Sequence, residues 1–326
     1  MIYRESTLFL IRAQTVEIKR IHDDSPEAVS YIVKNFPGIL IRWEIDVDDR
    51  PVVWVESFSH TGIIAEVMKT IILCGGKGYR LKEETEFKPK PMVMIGDKPI
   101  LWHIMKIYAH YGYRDFVIAL GYKGDYIKEY FLNQKYFAND FTLHTKNGKT
   151  VLHRDVTGEK IIDDFTITFV DTGVETLPGE RILLCRKYIP DTDENFMVTY
   201  GDGVSDINID TLISFHKKQN TIGTVTGIHP KSKYGLLHIS KEEKVDLFKE
   251  KPNLKDWVNG GFMVFKRDFF DYVKKGEMEH EGLKRLVEKN ELSFYKHEGF
   301  WQSMDTYVDL ENLNTLWNNA PQWKIW

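Results

Sequence analysis

The stretch at residues 72–92, "ILCGGKGYRLKEETEFKPKPM", gathers groups that could handle phosphate. Gly75, Gly76 and Gly78 leave the backbone bare, so amide N–H groups can approach a polyphosphate closely. Arg80 carries a planar fork able to hold two phosphate oxygens at once. Lys90 lies between Pro89 and Pro91, a stiff segment that would aim its ammonium before any ligand arrives. A tight strand-to-helix turn beside a solvated loop is the plainer reading of the same residues. Three common phosphate templates fail. A P-loop needs G-x-x-x-x-G-K-[ST], which these residues do not supply. A dinucleotide fingerprint finds Gly76 and Gly78 but meets Leu81 at its third glycine. A protein-kinase catalytic loop would need H-R-D-x-x-x-x-N, and the H-R-D at His153–Asp155 has Lys160 where the asparagine belongs.

A loop of this kind needs a strand to carry it. "MKTIILCGG" is a short apolar run ending in glycines, the pattern of a buried parallel strand. "KPILWHIMKIYAHYG" reads as an amphipathic helix ended by Gly112, "DFVIALGY" as a strand and "KGDYIKEYFLN" as a helix. That alternation implies a βαβ sheet. "FTITFVDTG" and "NFMVTYGDGV" read as further buried strands, "DINIDTLISFHKKQ" as a helix, and "YGLLHISKEEKVDLFKEKP" as strands with a hairpin. "VNGGFMVFKRDFFDYV" reads as a strand running into a helix, and "DLENLNTLWNN" as a final helix. The polar stretch from "NQKYFAND" to "IIDDF" has no assignment. Ligands of open α/β sheets sit outside the carboxyl ends of the strands. "LCGGKG", "VDTG" and "YGDG" each end a strand and are therefore candidates for one shared site.

Residues 1–67 differ in character. Strand-like runs in "STLFLIRAQTVEIKRI", a helix start at Ser25, Pro26 and Glu27, and two strands around Asp48, Asp49, Arg50 and Pro51 make a small β-α-β-β unit. The chain has 326 residues, 42% hydrophobic and 28% charged, with a net charge of −4. It can bury a sizeable core, and it lacks the extended basic character of a nucleic-acid binder. Two cysteines, Cys74 and Cys185, show neither metal nor disulfide spacing, which fits a reducing compartment. The N-terminal apolar run is cut by Arg12, too short for a signal peptide, and no stretch approaches a membrane span. These features read as a cytoplasmic protein with no membrane or nucleic-acid partner.

"LCGGKGYRLKEETEFKPKPM" resembles the signature of the sugar-1-phosphate nucleotidylyltransferases, G-G-x-G-x-R-L followed by P-K-P. "VDTG", "YGDGVSD", "EKP", "NGGFMVF" and "GFWQSMDT" follow in the family's order, so the resemblance covers residues 68–326. "KEET" replaces the P-L-T of most members and is similar to the branch that uses CTP and glucose 1-phosphate. Cys74 stands where the family has Ala, and Tyr79 where other branches have Thr. The first 67 residues have no counterpart: they are either an appended module or the product of an upstream start, with Met68 the family-like beginning.

The resemblance implies a Rossmann-like three-layer α/β/α fold with a mixed, mostly parallel sheet, a sugar-binding subdomain and a small α+β N-terminal extension. It implies transfer of a cytidylyl group from CTP to glucose 1-phosphate with Mg²⁺, or the same chemistry on another nucleotide or sugar phosphate. By the same token Leu73, Cys74, Gly75, Gly76, Lys77, Gly78 and Tyr79 wrap the nucleotide, with Thr176, Arg181 and Gly201 near it. Arg80 holds the leaving pyrophosphate and Lys90 neutralises the α-phosphate, while Lys82 and Lys88 are surface lysines. Asp202 and Asp305 hold the metal; Glu250, Lys251 and Asn259 contact the sugar phosphate. Tyr200 and Trp301 read as core aromatics, and His103, His110, His216 and His229 as structural or exposed. A silent regulatory subunit would be expected to lose Arg80, Lys90 or a carboxylate, and all are kept. A homo-oligomer making dideoxyhexose precursors of surface polysaccharide is also implied by the family alone.

Overall fold

In the computed structural model the described residues are 39–45, 51–57, 68–153, 163–232, 234–252 and 254–326. The chain divides into two units, Met1–Glu66 and Val67–Trp326. In the first, β1 (Ile39–Ile45) pairs antiparallel with β2 (Pro51–Ser57), Ile39 opposite Ser57 and Ile45 opposite Pro51. Pro51 opens its strand, where a missing N–H is tolerated. The helix expected from Ser25 and the strand before it lie outside the described residues.

The second unit begins with β3 (Thr70–Cys74), a one-turn helix α1 (Lys82–Thr85), and the short pair β4 (Met94–Ile95) and β5 (Lys98–Pro99). Then come α2 (Ile100–His110), β6 (Asp115–Leu120), α3 (Gly124–Ala138) and the hairpin β7 (Phe141–His144) and β8 (Lys149–Leu152). β9 (Thr166–Asp171), α4 (Pro178–Cys185), β10 (Asn195–Tyr200), β11 (Gly203–Ser205) and α5 (Ile209–Gln219) follow. The remainder is β12 (Gly223–Ile228), the hairpin β13 (Leu236–Ile239) and β14 (Val245–Lys249), β15 (Val258–Lys266), α6 (Glu279–Glu288), β16 (Leu292–Lys296), β17 (Trp301–Ser303) and α7 (Tyr307–Asn319).

Seven strands form the central sheet in the order β16-β12-β15-β10-β3-β6-β9, and β15 alone runs against the others. Side chains alternate across it. Ile72 of β3 faces a core built with Ile104, Tyr108, Ile127, Leu212 and Leu313, from α2, α3, α5 and α7. Ile71, one residue earlier, faces a second core with Ile182 of α4 and Leu286 of α6. This is the expected three-layer α/β/α arrangement. The sheet's middle strands are apolar on both faces because helices cover both.

The details differ from the sequence reading in four places. "FTITFVDTG" is not a buried strand: β9 is a sheet edge, and only Val170 in it is fully buried. The unassigned polar stretch contains the end of α3 and the β7–β8 hairpin, whose exposed faces carry no burial pattern to read. After β15 the chain makes only a 3₁₀ turn, Arg267–Asp271. Helices α4 and α6 and strands β16 and β17 were not anticipated.

Candidate active site

The parallel strands β3, β9 and β10 end at one edge of the sheet, so "LCGGKG", "VDTG" and "YGDG" converge there. β15 runs the other way, which brings its start, and Asn259 with it, to the same edge beside Gly227.

The glycine loop is held by its backbone and by two distant side chains. Gly75 O accepts from Tyr122 N at 3.2 Å and from Arg181 Nη2 at 3.2 Å. A Cβ on Gly75 would lie 2.0 Å from Arg181 Nη1, so only glycine leaves room for that guanidinium. Gly76 is exposed, with nothing near a would-be Cβ. Gly78 turns through φ +66°, and Thr85 closes the loop by donating to Gly78 O at 3.1 Å and Leu81 O at 3.0 Å. Thus the threonine of "KEET" is an anchor that folds the helical turn back on the glycines.

Beyond the loop stands a charge cluster. Lys90 Nζ lies 2.6 Å from Asp202 Oδ2 and 2.8 Å from Asp305 Oδ1, and Arg80 Nη2 lies 3.0 Å from the same Asp305 oxygen. Lys90 is largely buried; burial pulls its pKa down, but the Asp202 and Asp305 carboxylates outweigh this, and it is raised overall. Arg80 is exposed. Two chain features bring the carboxylates together. β11, just after Asp202, pairs antiparallel with β17, just before Asp305, and Met304 N donates to Asp202 O at 2.8 Å. A capping box between Thr306 and Asp309 then starts α7, and Asp309 also accepts from Asp305 N at 3.1 Å.

Asp202 and Asp305 face one cationic nitrogen, and that is the geometry two carboxylates need to share a small ion. No group of three or more His, Cys, Asp or Glu converges among the described residues. The donor set therefore fits a cation that takes its remaining ligands from phosphate oxygens and water, as Mg²⁺ does.

The other expected site residues fall into groups. Leu73 O accepts from Gly201 N at 3.1 Å, tying β3 to the Asp202 turn. The Cys74 side chain is buried; burial, then Asp202, push its thiol above the ordinary range, so it packs and does not react. Lys77 pairs with Glu175, and exposed Tyr79 lies 5.9 Å from its ammonium. Lys88 pairs with Glu84. Arg181 is buried and spends its guanidinium on Leu120 O, Gly75 O, Val174 O and Thr172 Oγ1. Thr176 donates to Thr172 O. Glu250 and Lys251 are exposed, 3.9 Å apart, and no contact among the described residues joins them to the Lys90 cluster. Asn259 Oδ1 accepts from Gly261 N at 2.9 Å.

Tyr200 and Trp301, read as core aromatics, are only part-buried and use their polar ends: Tyr200 Oη donates to Glu279 at 2.8 Å and Trp301 Nε1 to Gly260 O at 2.7 Å. Sequence reasoning missed Thr85, Tyr122 and Glu279. Only Thr85 carried a local signal, by lying inside "KEET". Buried His103 donates from Nε2 to Ile95 O at 3.0 Å and accepts from Trp323 Nε1 at 3.3 Å. Buried His216 lies 2.8 Å from Thr224 Oγ1 and 3.2 Å from Asn195 Oδ1.

Residues 69–320 match the family model described as nucleotidyl transferase. The chain is 45% identical over 263 residues to the Bacillus subtilis (strain 168) protein named "Probable glucose-1-phosphate cytidylyltransferase", covering 79% of this chain and 100% of that protein. It is 43% identical over 264 residues to the glucose-1-phosphate cytidylyltransferase of Salmonella typhimurium, with the same coverage. Among solved structures, a UDP-glucose pyrophosphorylase complexed with UDP-glucose has a TM-score of 0.55 at 18% identity, covering 77% of this chain and 98% of that one. HddC from Yersinia pseudotuberculosis has a TM-score of 0.55 at 20% identity, covering 77% and 99%. These two likenesses concern the fold alone.

Proposed function

The chain belongs to the nucleotidyl transferase family, and from that premise we propose that it is a glucose-1-phosphate cytidylyltransferase. It transfers a cytidylyl group from CTP to glucose 1-phosphate, giving CDP-glucose and pyrophosphate. The observation that carries this reading is Lys90 set between Asp202 and Asp305, beside the glycine loop and Arg80.

An oxygen of the sugar phosphate attacks the α-phosphorus of CTP; a P–O bond forms, the bond to the β-phosphate bridge breaks, and pyrophosphate leaves with its electron pair. The nucleophile is already anionic near neutral pH, so no general base is required. The protein's task is to position the groups and neutralise charge. Backbone amides of Gly75, Gly76 and Gly78 cradle the nucleotide, and Arg80 takes charge on the departing pyrophosphate. Lys90 meets the α-phosphate. Arg181, committed to Gly75 O, keeps the loop in shape, with Thr176 beside it. Lys251, Glu250 and Asn259 take the sugar phosphate. Asp202 and Asp305 are the residues that would hold Mg²⁺, which when bound supplies charge neutralisation on phosphate oxygens.

Residues 68–326 are the catalytic unit in this reading, and a chain beginning at Met68 should keep full activity; loss of soluble enzyme would refute that. A cytoplasmic location belongs to the same reading, since that is where CTP is supplied; among the described residues no helix is long and apolar enough to cross a membrane. A homo-oligomer is part of the same reading, to be checked by light scattering. The deciding experiment measures pyrophosphate release from CTP, UTP, dTTP, ATP and GTP with glucose 1-phosphate and Mg²⁺. CTP should be the preferred substrate. Good turnover with another nucleotide and none with CTP would overturn the base assignment.

A further inference from the structure

Glu279 stands at the first position of α6, where the helix N-terminus favours its negative charge. That end of the helix is firmly held. Gly179 of α4 sits so close that a Cβ there would lie 2.7 Å from Glu277 O. Arg285 holds Glu277 with two hydrogen bonds, at 2.8 and 2.7 Å. From this fixed base Glu279 Oε1 accepts the Tyr200 hydroxyl at 2.8 Å, while its other oxygen is buried with no hydrogen-bond partner among the described residues. A carboxylate oxygen left in that state is costly, so the packing has kept this group against its own preference for water.

The Tyr200 ring in turn lies against Gly261, whose φ is +86° and where a Cβ would come 2.5 Å from the ring's Cδ2. Gly261 N is the group that Asn259 caps, at 2.9 Å. A continuous chain of contacts therefore runs from α6 through Tyr200 to the bulged start of β15, which carries Asn259. Asp202, two residues beyond Tyr200, has independent supports: Gly201 N on Leu73 O and Met304 N on Asp202 O. Disturbing Tyr200 should fall on the Asn259 side of the site and spare the Asp202 side.

We propose that Glu279 is a positioning residue for the sugar phosphate, acting through Tyr200 to hold the start of β15 that carries Asn259; this rests on the reading of Asn259 as a sugar contact. The effect is specific to one substrate. Glu279→Ala removes the acceptor and strands the Tyr200 hydroxyl, and Tyr200→Phe removes the donor. Either should raise KM for glucose 1-phosphate about tenfold and leave KM for CTP within about twofold. Glu279→Gln keeps an acceptor for Tyr200 and should restore KM to near wild type. The double variant Tyr200→Phe with Glu279→Ala should be no worse than either single one, because both remove the same contact.

The test is steady-state kinetics on the four variants and wild type, with thermal melts on each and calorimetric binding of glucose 1-phosphate alongside. A parallel rise in both KM values, a Gln variant as impaired as the Ala variant, or no change in any variant would overturn the proposal. Absence of turnover in the wild type with CTP and glucose 1-phosphate would instead overturn the cytidylyltransferase reading. The calorimetric comparison then decides the positioning role alone: about tenfold weaker binding of the sugar phosphate by the Ala and Phe variants supports it, and unchanged binding refutes it.

Discussion

Replacing Lys90 by methionine keeps the length of the side chain and removes its charge, and two quantities should move in opposite directions. Lys90 Nζ holds Asp202 at 2.6 Å and Asp305 at 2.8 Å from a largely buried position. In the reaction the same ammonium faces charge developing on phosphate; removing one preorganised stabiliser of that kind lowers kcat by about 10²–10³, or about 3–4 kcal/mol. In the free enzyme the change has a different consequence. Asp202 and Asp305 lose their shared counter-ion; because both oxygens touch one nitrogen, at 2.6 and 2.8 Å, they can be no more than about 5.4 Å apart, and they repel by about 3 kcal/mol or more at an effective dielectric near 20. Arg80, 3.0 Å from Asp305 but exposed to solvent, offsets only part of this. A divalent cation relieves the repulsion, so Lys90→Met should bind Mn²⁺ more tightly than wild type in the absence of nucleotide while turning over far more slowly. Pyrophosphate release at saturating substrates measures the first quantity, and electron paramagnetic resonance of free Mn²⁺ measures the second. A kcat within about threefold of wild type would refute the role of Lys90 in charge stabilisation. Unchanged or weaker Mn²⁺ binding would refute the view that the carboxylates share one cation position.

Asp202→Asn should weaken the Mg²⁺ dependence of the rate; a titration that superimposes on wild type removes Asp202 as a ligand. Gly75→Ala places a methyl group 2.0 Å from Arg181 Nη1 and must displace a buried guanidinium from its acceptors, at a cost of about 3–5 kcal/mol. A thermal midpoint equal to wild type would show that the loop yields instead. His103, its pKa lowered by burial to about 4 from 6.5, stays neutral in the fold, donating to Ile95 O and accepting from Trp323. The unfolded chain binds the extra proton between those values, so stability present above pH 6.5 should be lost as pH falls toward 4, by about 3 kcal/mol in total. Urea unfolding from pH 7 to 4 should show this loss, and His103→Phe should remove it; an unaltered pH profile in the variant assigns the loss elsewhere.

Much of the architecture was legible because it is local. Strand β3 announces itself as an apolar run closed by glycines, α2 as a helical stretch stopped before Gly112, though buried rather than amphipathic, with only Lys106 and His110 outside the core, and Lys90 as a cation stiffened by flanking prolines. Residues such as these report on their own backbone, and their neighbours in sequence are enough to interpret them. The β7–β8 hairpin was not legible, since its exposed faces impose no burial pattern, and the exposure of β9 followed only from its place at the sheet edge.

The site itself divides along the same line. The glycines, Arg80 and Lys90 lie within one loop and could be named from it. The partners of Lys90 lie 112 and 215 residues away, and they meet it only because β10 pairs beside β3 and β17 pairs with β11. The need for glycine at position 75 is set by Arg181, 106 residues on, and the start of β15, which bears Asn259, is braced by Tyr200 and Glu279. By itself the sequence determined which groups could handle phosphate, since that depends on residue type and short spacing. Which groups share a charge or a contact was decided by strand order and helix packing, because energies between side chains depend on distance in space, and the fold alone sets that distance.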